Sequence, residues 1–241
     1  MEILNVLTFS KTDQVKKILV LTGAGISAES GIKTFRDANG LWEGHDVMEV
    51  ASPQGWQKNQ ELVLEFYNER RKQLLQVEPN AAHYALAKLQ EFYEVEIVTQ
   101  NIDDLHERSG SKNVTHLHGE LLKARSTFDE QLVMDWKKDI KPGDFCEHNF
   151  QLRPHVVWFG EAVPMFQKAA EIAQNADIVI VIGTSMQVYP AAGLVDFAPR
   201  NASFYFIDPN PNISETSNLE IIRKKAVEGV PELVESLIEK A

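Results

Sequence analysis

Ile18-Leu19-Val20-Leu21-Thr22-Gly23-Ala24-Gly25-Ile26-Ser27-Ala28 is the stretch whose reading decides the fold. An unbroken apolar run predicts a strand buried on both faces, and the G-x-G-x-x-A that follows predicts a turn opening into a helix. Glycines at such a turn let the backbone bend sharply and approach a pyrophosphate, whose charge a helix N-terminus favours. On this stretch alone a plainer reading stays open, in which Gly23 and Gly25 serve only a tight strand-to-helix turn.

Similar runs recur at Val95-Glu96-Ile97-Val98, Asp177-Ile178-Val179-Ile180-Val181-Ile182 and Ser203-Phe204-Tyr205-Phe206-Ile207. Helical spacing fills several intervals. It is clearest from Ala81 through Phe92, where Ala82, Leu86 and Leu89 follow the start signal Pro79-Asn80. The segment from Pro231 to Lys240 reads as a closing helix. Apolar strands alternating with helices predict an α/β fold, a doubly wound parallel sheet of Rossmann type. Residues 33–75, mostly loop and helix, and 121–155, polar and irregular from 126 onward, interrupt the alternation. They are read as a small inserted lobe, which leaves 1–32, 76–120 and 156–241 as the nucleotide-binding domain.

The chain has 241 residues, 44% of them hydrophobic, which suffices for one large domain with a core. Acidic residues outnumber basic ones 35 to 24, for a net charge of −11, and this argues against nucleic acid as a partner. The single cysteine, Cys146, excludes an intramolecular disulfide and any zinc site made of two Cys-x-x-Cys pairs. Neither a signal segment nor a run of about eighteen apolar residues is present, so a cytoplasmic protein without a membrane partner is expected.

The usual dinucleotide fingerprint also asks for an acidic residue about twenty positions on, at the tip of the second strand. Glu43 has the distance, but it lies in the loop-like Leu41-Trp42-Glu43-Gly44, and the next credible strand ends in Gln100-Asn101-Ile102-Asp103. An ordinary dehydrogenase is therefore not expected. The strands end in Gly23-Ala24-Gly25, Gln100-Asn101-Ile102-Asp103, Gly183-Thr184-Ser185 and Asp208-Pro209-Asn210, and in an open parallel sheet such tips line one ligand crevice. Gln and Asn amides suit a ligand with its own carboxamide, although simple turn formation explains Asn101-Ile102-Asp103 equally well.

In Val114-Thr115-His116-Leu117-His118-Gly119 a short strand delivers one histidine into the crevice. Histidine is the natural base toward a sugar hydroxyl near neutral pH. A metal-binding pair and a purely structural histidine remain as alternatives, the former without a convincing third ligand, since Cys146 and His148 lie in an irregular segment. Tyr67 and Arg70, three apart on an expected helix, share a face and together suit a carboxylate. Within Asn68-Glu69-Arg70-Arg71-Lys72, however, a solvated helix face is the plainer reading.

Taken in order, Gly23-Ala24-Gly25-Ile26-Ser27-Ala28-Glu29-Ser30-Gly31, Phe35-Arg36, Gln100-Asn101-Ile102-Asp103, His118-Gly119, Val157-Trp158-Phe159-Gly160-Glu161 and Gly183-Thr184-Ser185 resemble the sirtuin family of NAD-dependent protein lysine deacylases, along nearly the whole chain. The resemblance implies NAD as co-substrate, lying between a Rossmann-type domain and a small lobe, and an acylated lysine of a protein or peptide entering opposite. It implies that the acyl oxygen displaces nicotinamide from the ribose, giving free lysine and O-acyl-ADP-ribose. His118 matches the base, and Asn101 and Asp103 match the residues that orient ribose and carboxamide. Gly23, Ala24, Gly25, Ser27, Glu29, Phe35, Arg36, Trp42, Gln100, Ile102, Gly183, Thr184, Ser185, Asp208 and Ala226 fall at cofactor-site positions. Val157, Trp158, Phe159 and Gly160 match the strand that clamps the substrate by β-addition. Tyr67 and Arg70 resemble the Tyr-x-x-Arg of bacterial members that remove succinyl and malonyl groups.

Two departures stand out. Family members usually hold a structural zinc with four cysteines between the catalytic His-Gly and the substrate strand; here that region offers Ser126 and only Cys146, so no metal is expected. Phe128, Leu132, Met134, Trp136 and Phe145 are then the candidates for local packing. Many relatives also place an Asn beside the adenosine ribose, where this chain has Asp208. A sirtuin-like ADP-ribosyltransferase or NAD hydrolase is the alternative reading, and a noncatalytic NAD sensor a third.

Overall fold

β1 (Lys17–Thr22), the run that opens the chain's readable pattern, is a central strand of a parallel sheet in the computed structural model, which describes residues 15–33, 41–184, 191–211 and 213–241. The chain continues through β2 (Leu41–Trp42), β3 (His45–Asp46), α1 (Val47–Val50), α2 (Pro53–Lys58), α3 (Gln60–Leu74), α4 (Ala81–Leu89), β4 (Glu94–Thr99), α5 (Leu105–Arg108) and β5 (Val114–His116). It then forms β6 (Gly119–Ser126), β7 (Val133–Asp135), β8 (Leu152–Val156), α6 (Phe166–Gln174), β9 (Ile178–Ile182), β10 (Ser203–Ile207), β11 (Leu219–Ile222) and α7 (Ala226–Ile238). The main sheet runs β5-β4-β1-β9-β10-β11, every pair parallel. Counted along the chain, these strands stand in the order 3-2-1-4-5-6, so the direction of winding reverses beside β1 and a crevice opens there.

Strand periodicity explains the two-sided core. Ile18 and Val20 meet Leu86 and Leu89 of α4 and Val230, Leu233 and Leu237 of α7 on one face, whereas Leu19 and Leu21 meet Ala169, Ala170 and Ala173 of α6 on the other. α4 starts where expected because Asn80 and His83 form a reciprocal cap, but it gives way to a turn before Phe92. α7 starts five residues before Pro231, since Ala226 and Val230 belong to the same buried stripe as Leu233, Val234 and Leu237.

The glycine turn departs from the expected α-helix. Two short 3-10 turns, Ala24–Ile26 and Ala28–Ser30, follow β1, and Gly31 ends them at φ +97°. Asn80 explains why the chain does not wind on: its amide donates to the Ile26 carbonyl at 2.8 Å and to Ser30 Oγ at 3.0 Å. The glycines themselves answer to a close approach of two strand tips. A Cβ on Gly25 would lie 2.6 Å from Gly183 Cα, one on Gly23 would lie 2.7 Å from Thr184 Cβ, and Gly25 N–H donates to the Gly183 carbonyl at 2.9 Å.

β2 and β3 form a hairpin that the apolar pattern did not reveal, because the turn takes Glu43 at φ +51° and Gly44 at φ +84° with strands of two residues each. β7-β6-β8 is a second, antiparallel sheet. One hydrophobic cluster joins Val63, Leu64, Phe66, Tyr67 and Leu74 of α3 to Leu121, Leu122, Ala124, Ile140, Cys146, Leu152 and Trp158. Leu132, Met134 and Trp136 pack against it, but Phe128 and Phe145 do not: they are 64% and 57% exposed, and Phe128 stacks on Phe150 instead. Among the described residues no group of three or more His, Cys, Asp or Glu is placed to hold a metal ion, and no helix is long and apolar enough to cross a membrane.

Candidate active site

The tips of β1, β4 and β9 open into a cavity of about 300 Å3. The sheet side contributes Gly23, Ala24, Gly25, Gln100, Asn101, Ile102, Asp103, His118, Gly183 and Thr184. The lobe side contributes Trp42, Tyr67 and Arg70, with Val157, Trp158, Phe159 and Gly160 beyond β8. Ser27 is buried beneath this lining. Glu29 faces Lys225 at 3.4 Å, Asp208 accepts the Asn210 N–H, and Ala226 packs in the core; none of the three lines the cavity. Phe35, Arg36 and Ser185 lie outside the described residues.

Ser27 joins the two residues expected to orient a ligand. Asn101 Nδ2 donates to Ser27 Oγ at 3.2 Å and to the Gly23 carbonyl at 3.2 Å, and Ser27 Oγ donates to Asp103 Oδ2 at 3.0 Å. This direction of donation leaves Asn101 Oδ1 as an acceptor with no partner among the described residues. Burial pushes the Asp103 carboxyl up to about 6, against hydrogen bonds from Leu105 N–H and Ser27 that pull it down. Gln100 Nε2 donates to Thr184 Oγ1 at 3.2 Å, which ties the tip of β4 to that of β9.

The two histidines separate cleanly. His118 Nδ1 lies 3.0 Å from the Gln100 carbonyl, an acceptor only, so Nδ1 carries the proton and Nε2 keeps its lone pair. Burial lowers its pKa, partly offset by that carbonyl, and the ring is a neutral base near pH 7. His116 turns away to the Asn101 carbonyl at 2.9 Å and Glu107 Oε1 at 2.8 Å. Burial works against its charge, but the hydrogen bond and charge of Glu107 outweigh it and raise the pKa. His116 thus braces the Asn101 backbone, and the pair does not converge on a metal.

On the lobe side α3, capped by Asn59 on Leu62 N–H, turns Tyr67 and Arg70 inward. Arg70 donates to the Phe66 carbonyl, lies over the Phe66 ring at 4.2 Å and stands 3.9 Å from Glu43 Oε2, which Lys33 meets at 3.0 Å. The solvated-face reading holds for Glu69 and Lys72, an exposed ion pair, and fails for the rest of the stretch: Arg71 is 1% exposed and donates to the Leu121 carbonyl and to Asn68 Oδ1, while Asn68 binds both backbone groups of Ile140. Those contacts are 50 and 72 residues distant in the chain, and no local pattern announces them. Val157 to Gly160 lie beyond the end of β8 as irregular chain that closes in a turn at Phe159 and Gly160, where Glu161 N–H returns to the Trp158 carbonyl and Gly160 takes φ +90°. Arg153 and Arg125, which form an ion cluster with Glu161 beside this turn, were not singled out either.

Comparison with known proteins agrees with this geometry. The Sir2 family profile matches residues 23–190. A protein of Helicobacter pylori named NAD-dependent protein deacylase is 55% identical over 94% of this chain and 100% of its own length, and one of Bacteroides thetaiotaomicron bearing the same name is 50% identical over 93% and 99%. A crystal structure of a Sir2 homologue with NAD superposes with a TM-score of 0.84 at 38% identity, covering 94% of this chain and 91% of that one. The chain belongs to the Sir2, or sirtuin, family, and its α/β Rossmann-type sheet is the fold of that family.

Proposed function

We propose that this crevice removes acyl groups from protein lysine side chains at the expense of NAD, with His118, Asn101 and Asp103 as the catalytic residues. One observation carries the reading: the unprotonated Nε2 of His118 faces the same cavity as the free acceptor of Asn101 and the buried carboxyl of Asp103. The polar lining suits a dinucleotide, with no partner for the Ala24 N–H among the described residues and the uncharged amides of Gln100 and Asn101 at the strand tips. NAD, when bound, supplies an electrophilic ribose carbon and nicotinamide as leaving group. Asn101 holds a carboxamide or hydroxyl through Oδ1, Asp103 accepts from a donor when ionised, and His118 takes a sugar hydroxyl proton at Nε2. The N–H groups of Val157, Trp158 and Phe159 are all engaged within the protein, so pairing with a substrate backbone falls to carbonyls and to Gly160 N–H.

The acyl group extends to acidic types. Tyr67 and Arg70 stand side by side in the cavity wall, a phenol and a guanidinium suited to a succinyl or malonyl carboxylate. Incubation with NAD and matched acetyl- and succinyl-lysine peptides is expected to yield free lysine peptide, nicotinamide and O-acyl-ADP-ribose from both. Arg70→Met is expected to lower succinyl turnover about tenfold or more while sparing acetyl turnover. Loss of NAD without change in either peptide would instead mark a hydrolase or ADP-ribosyltransferase.

The same proposal takes residues 33–75 and 121–155 as a metal-free lobe of a cytoplasmic enzyme acting on acylated proteins. Ser126 Oγ and Cys146 Sγ lie 3.3 Å apart and bond each other, and Ser126 also accepts from Phe128 and Asp129 N–H. Elemental analysis that found one tightly held zinc per chain would overturn the metal-free lobe.

A further inference from the structure

Trp158 is 2% exposed and is held on three sides. Its backbone N–H donates to Glu161 Oε2 at 2.8 Å, the Arg153 guanidinium lies 3.2 Å from the centroid of its ring, and its indole Nε1 is 3.0 Å from the Tyr67 hydroxyl oxygen. Glu161 is itself fixed by Arg153 Nη1 at 2.6 Å and Arg125 Nη2 at 3.2 Å, so the backbone of Trp158 is anchored to an ion cluster, and turning the indole would cost both the Arg153 ring contact and the bond to Tyr67. An indole nitrogen donates and never accepts. The Tyr67 oxygen must therefore accept from Trp158, and the phenolic proton has to point elsewhere. Tyr67 of α3 is fully buried within the lobe and lines the same cavity as Arg70.

We propose that Trp158 is a specificity-positioning residue: by donating to the Tyr67 oxygen it aims the Tyr67 O–H into the cavity, making Tyr67 and Arg70 a preset pair of donors for an acyl carboxylate. The inference rests on the acidic-acyl reading above and adds what orients one of its two groups. A phenol free to rotate would offer the carboxylate a lone pair as readily as a proton. Trp158 removes that choice before substrate arrives, which is preorganisation of the site. Acetyl-lysine has no carboxylate and gains nothing from the arrangement, so the effect falls on discrimination between acyl groups.

The test is Trp158→Phe, which keeps an aromatic ring under Arg153 and deletes the donor together with part of the indole's volume. The ratio of kcat/KM for succinyl over acetyl peptide is expected to fall about tenfold, the worth of one hydrogen bond to a charged group, whatever loss the change in the substrate-binding segment imposes on both peptides alike. Tyr67→Phe should lower the ratio similarly, and the double variant should be no worse than Tyr67→Phe alone, because Trp158 acts only through that hydroxyl. An unchanged ratio in Trp158→Phe, or effects that multiply in the double variant, would overturn the proposal. Absence of succinyl turnover in wild type, or turnover indifferent to Arg70→Met, would sink the acidic-acyl reading and this inference with it; sensitivity to Arg70→Met alone would sink only the role of Trp158. Should Trp158→Phe fail to fold, the Trp158 indole N–H resonance of nitrogen-15-labelled protein supplies the check: it should move upfield in Tyr67→Phe, and an unmoved resonance would refute the hydrogen bond.

Discussion

The two sides of the cavity are built on different physics. On the sheet side the chemistry sits on strand tips fixed by backbone hydrogen bonds: Gln100 N–H to Thr22, Leu117 N–H to Thr99 and Gly25 N–H to Gly183. Its working groups titrate, and burial moves the pKa of Asp103 up and that of His118 down. The lobe side is a helix and a turn held by side chains, with Arg71, Asn68 and the Arg125–Glu161 pair bonding across 50, 72 and 36 residues of chain. Its cavity-facing groups, Tyr67 and Arg70, keep their charge states near neutral pH, the phenol raised further by burial. Proton chemistry is thus placed where the backbone is stiffest, and selectivity where side chains make the wall.

If that division holds, the largest effect belongs to the sheet side. His118→Ala is expected to lower deacylation of acetyl and succinyl peptides alike by about 100- to 10,000-fold, the range of a lost general base, with peptide binding retained. A loss confined to one acyl type would break the division. Next in size is the lobe's scaffold. Arg71→Leu strands the Leu121 carbonyl in the interior and leaves Asn68 Oδ1 with Ile140 N–H alone, and should cost about 2 kcal/mol of unfolding free energy in urea titrations, with His118 chemistry per folded molecule unchanged.

A pH profile sharpens the comparison further. His118 and Asp103 both work deprotonated, so kcat/KM should be flat above pH 7 and fall about tenfold per unit below pH 6, where Asp103 takes a proton. The slope should steepen to about a hundredfold per unit once His118, whose pKa lies under the ordinary 6.5, protonates as well. The succinyl-to-acetyl ratio should not follow this limb until the acyl carboxylate itself titrates. The smallest effect is expected at the exposed stack: Phe128→Ser should change stability by about 0.5 kcal/mol or less, because Phe128 sits outside the lobe's core.

Much of the sheet side was legible in the residues. Strands buried on both faces announce themselves as unbroken apolar runs, and in a parallel sheet the residues after each run must meet at one edge, so Gly23, Asn101, Asp103 and Gly183 fell together as expected. The lobe side was legible only in part. The pairing of Tyr67 with Arg70 followed from helical spacing, but the burial of Arg71 beside them did not, because a charged run looks solvated until a distant carbonyl covers it. Likewise Phe128 and Phe145 looked like core by composition, yet the chain around Cys146 turned them outward.

By itself the sequence determined the fold class, the crevice and the family, since each rests on periodicity or on motifs a few residues long. Tertiary structure alone decided which nitrogen of His118 holds the proton, why His116 braces rather than reacts, and which way the Tyr67 hydroxyl points. The physical reason is common to all three: a hydrogen bond's direction is set by its partner, and the partners Gln100, Glu107 and Trp158 stand 18, 9 and 91 residues away in the chain and are brought into reach by folding.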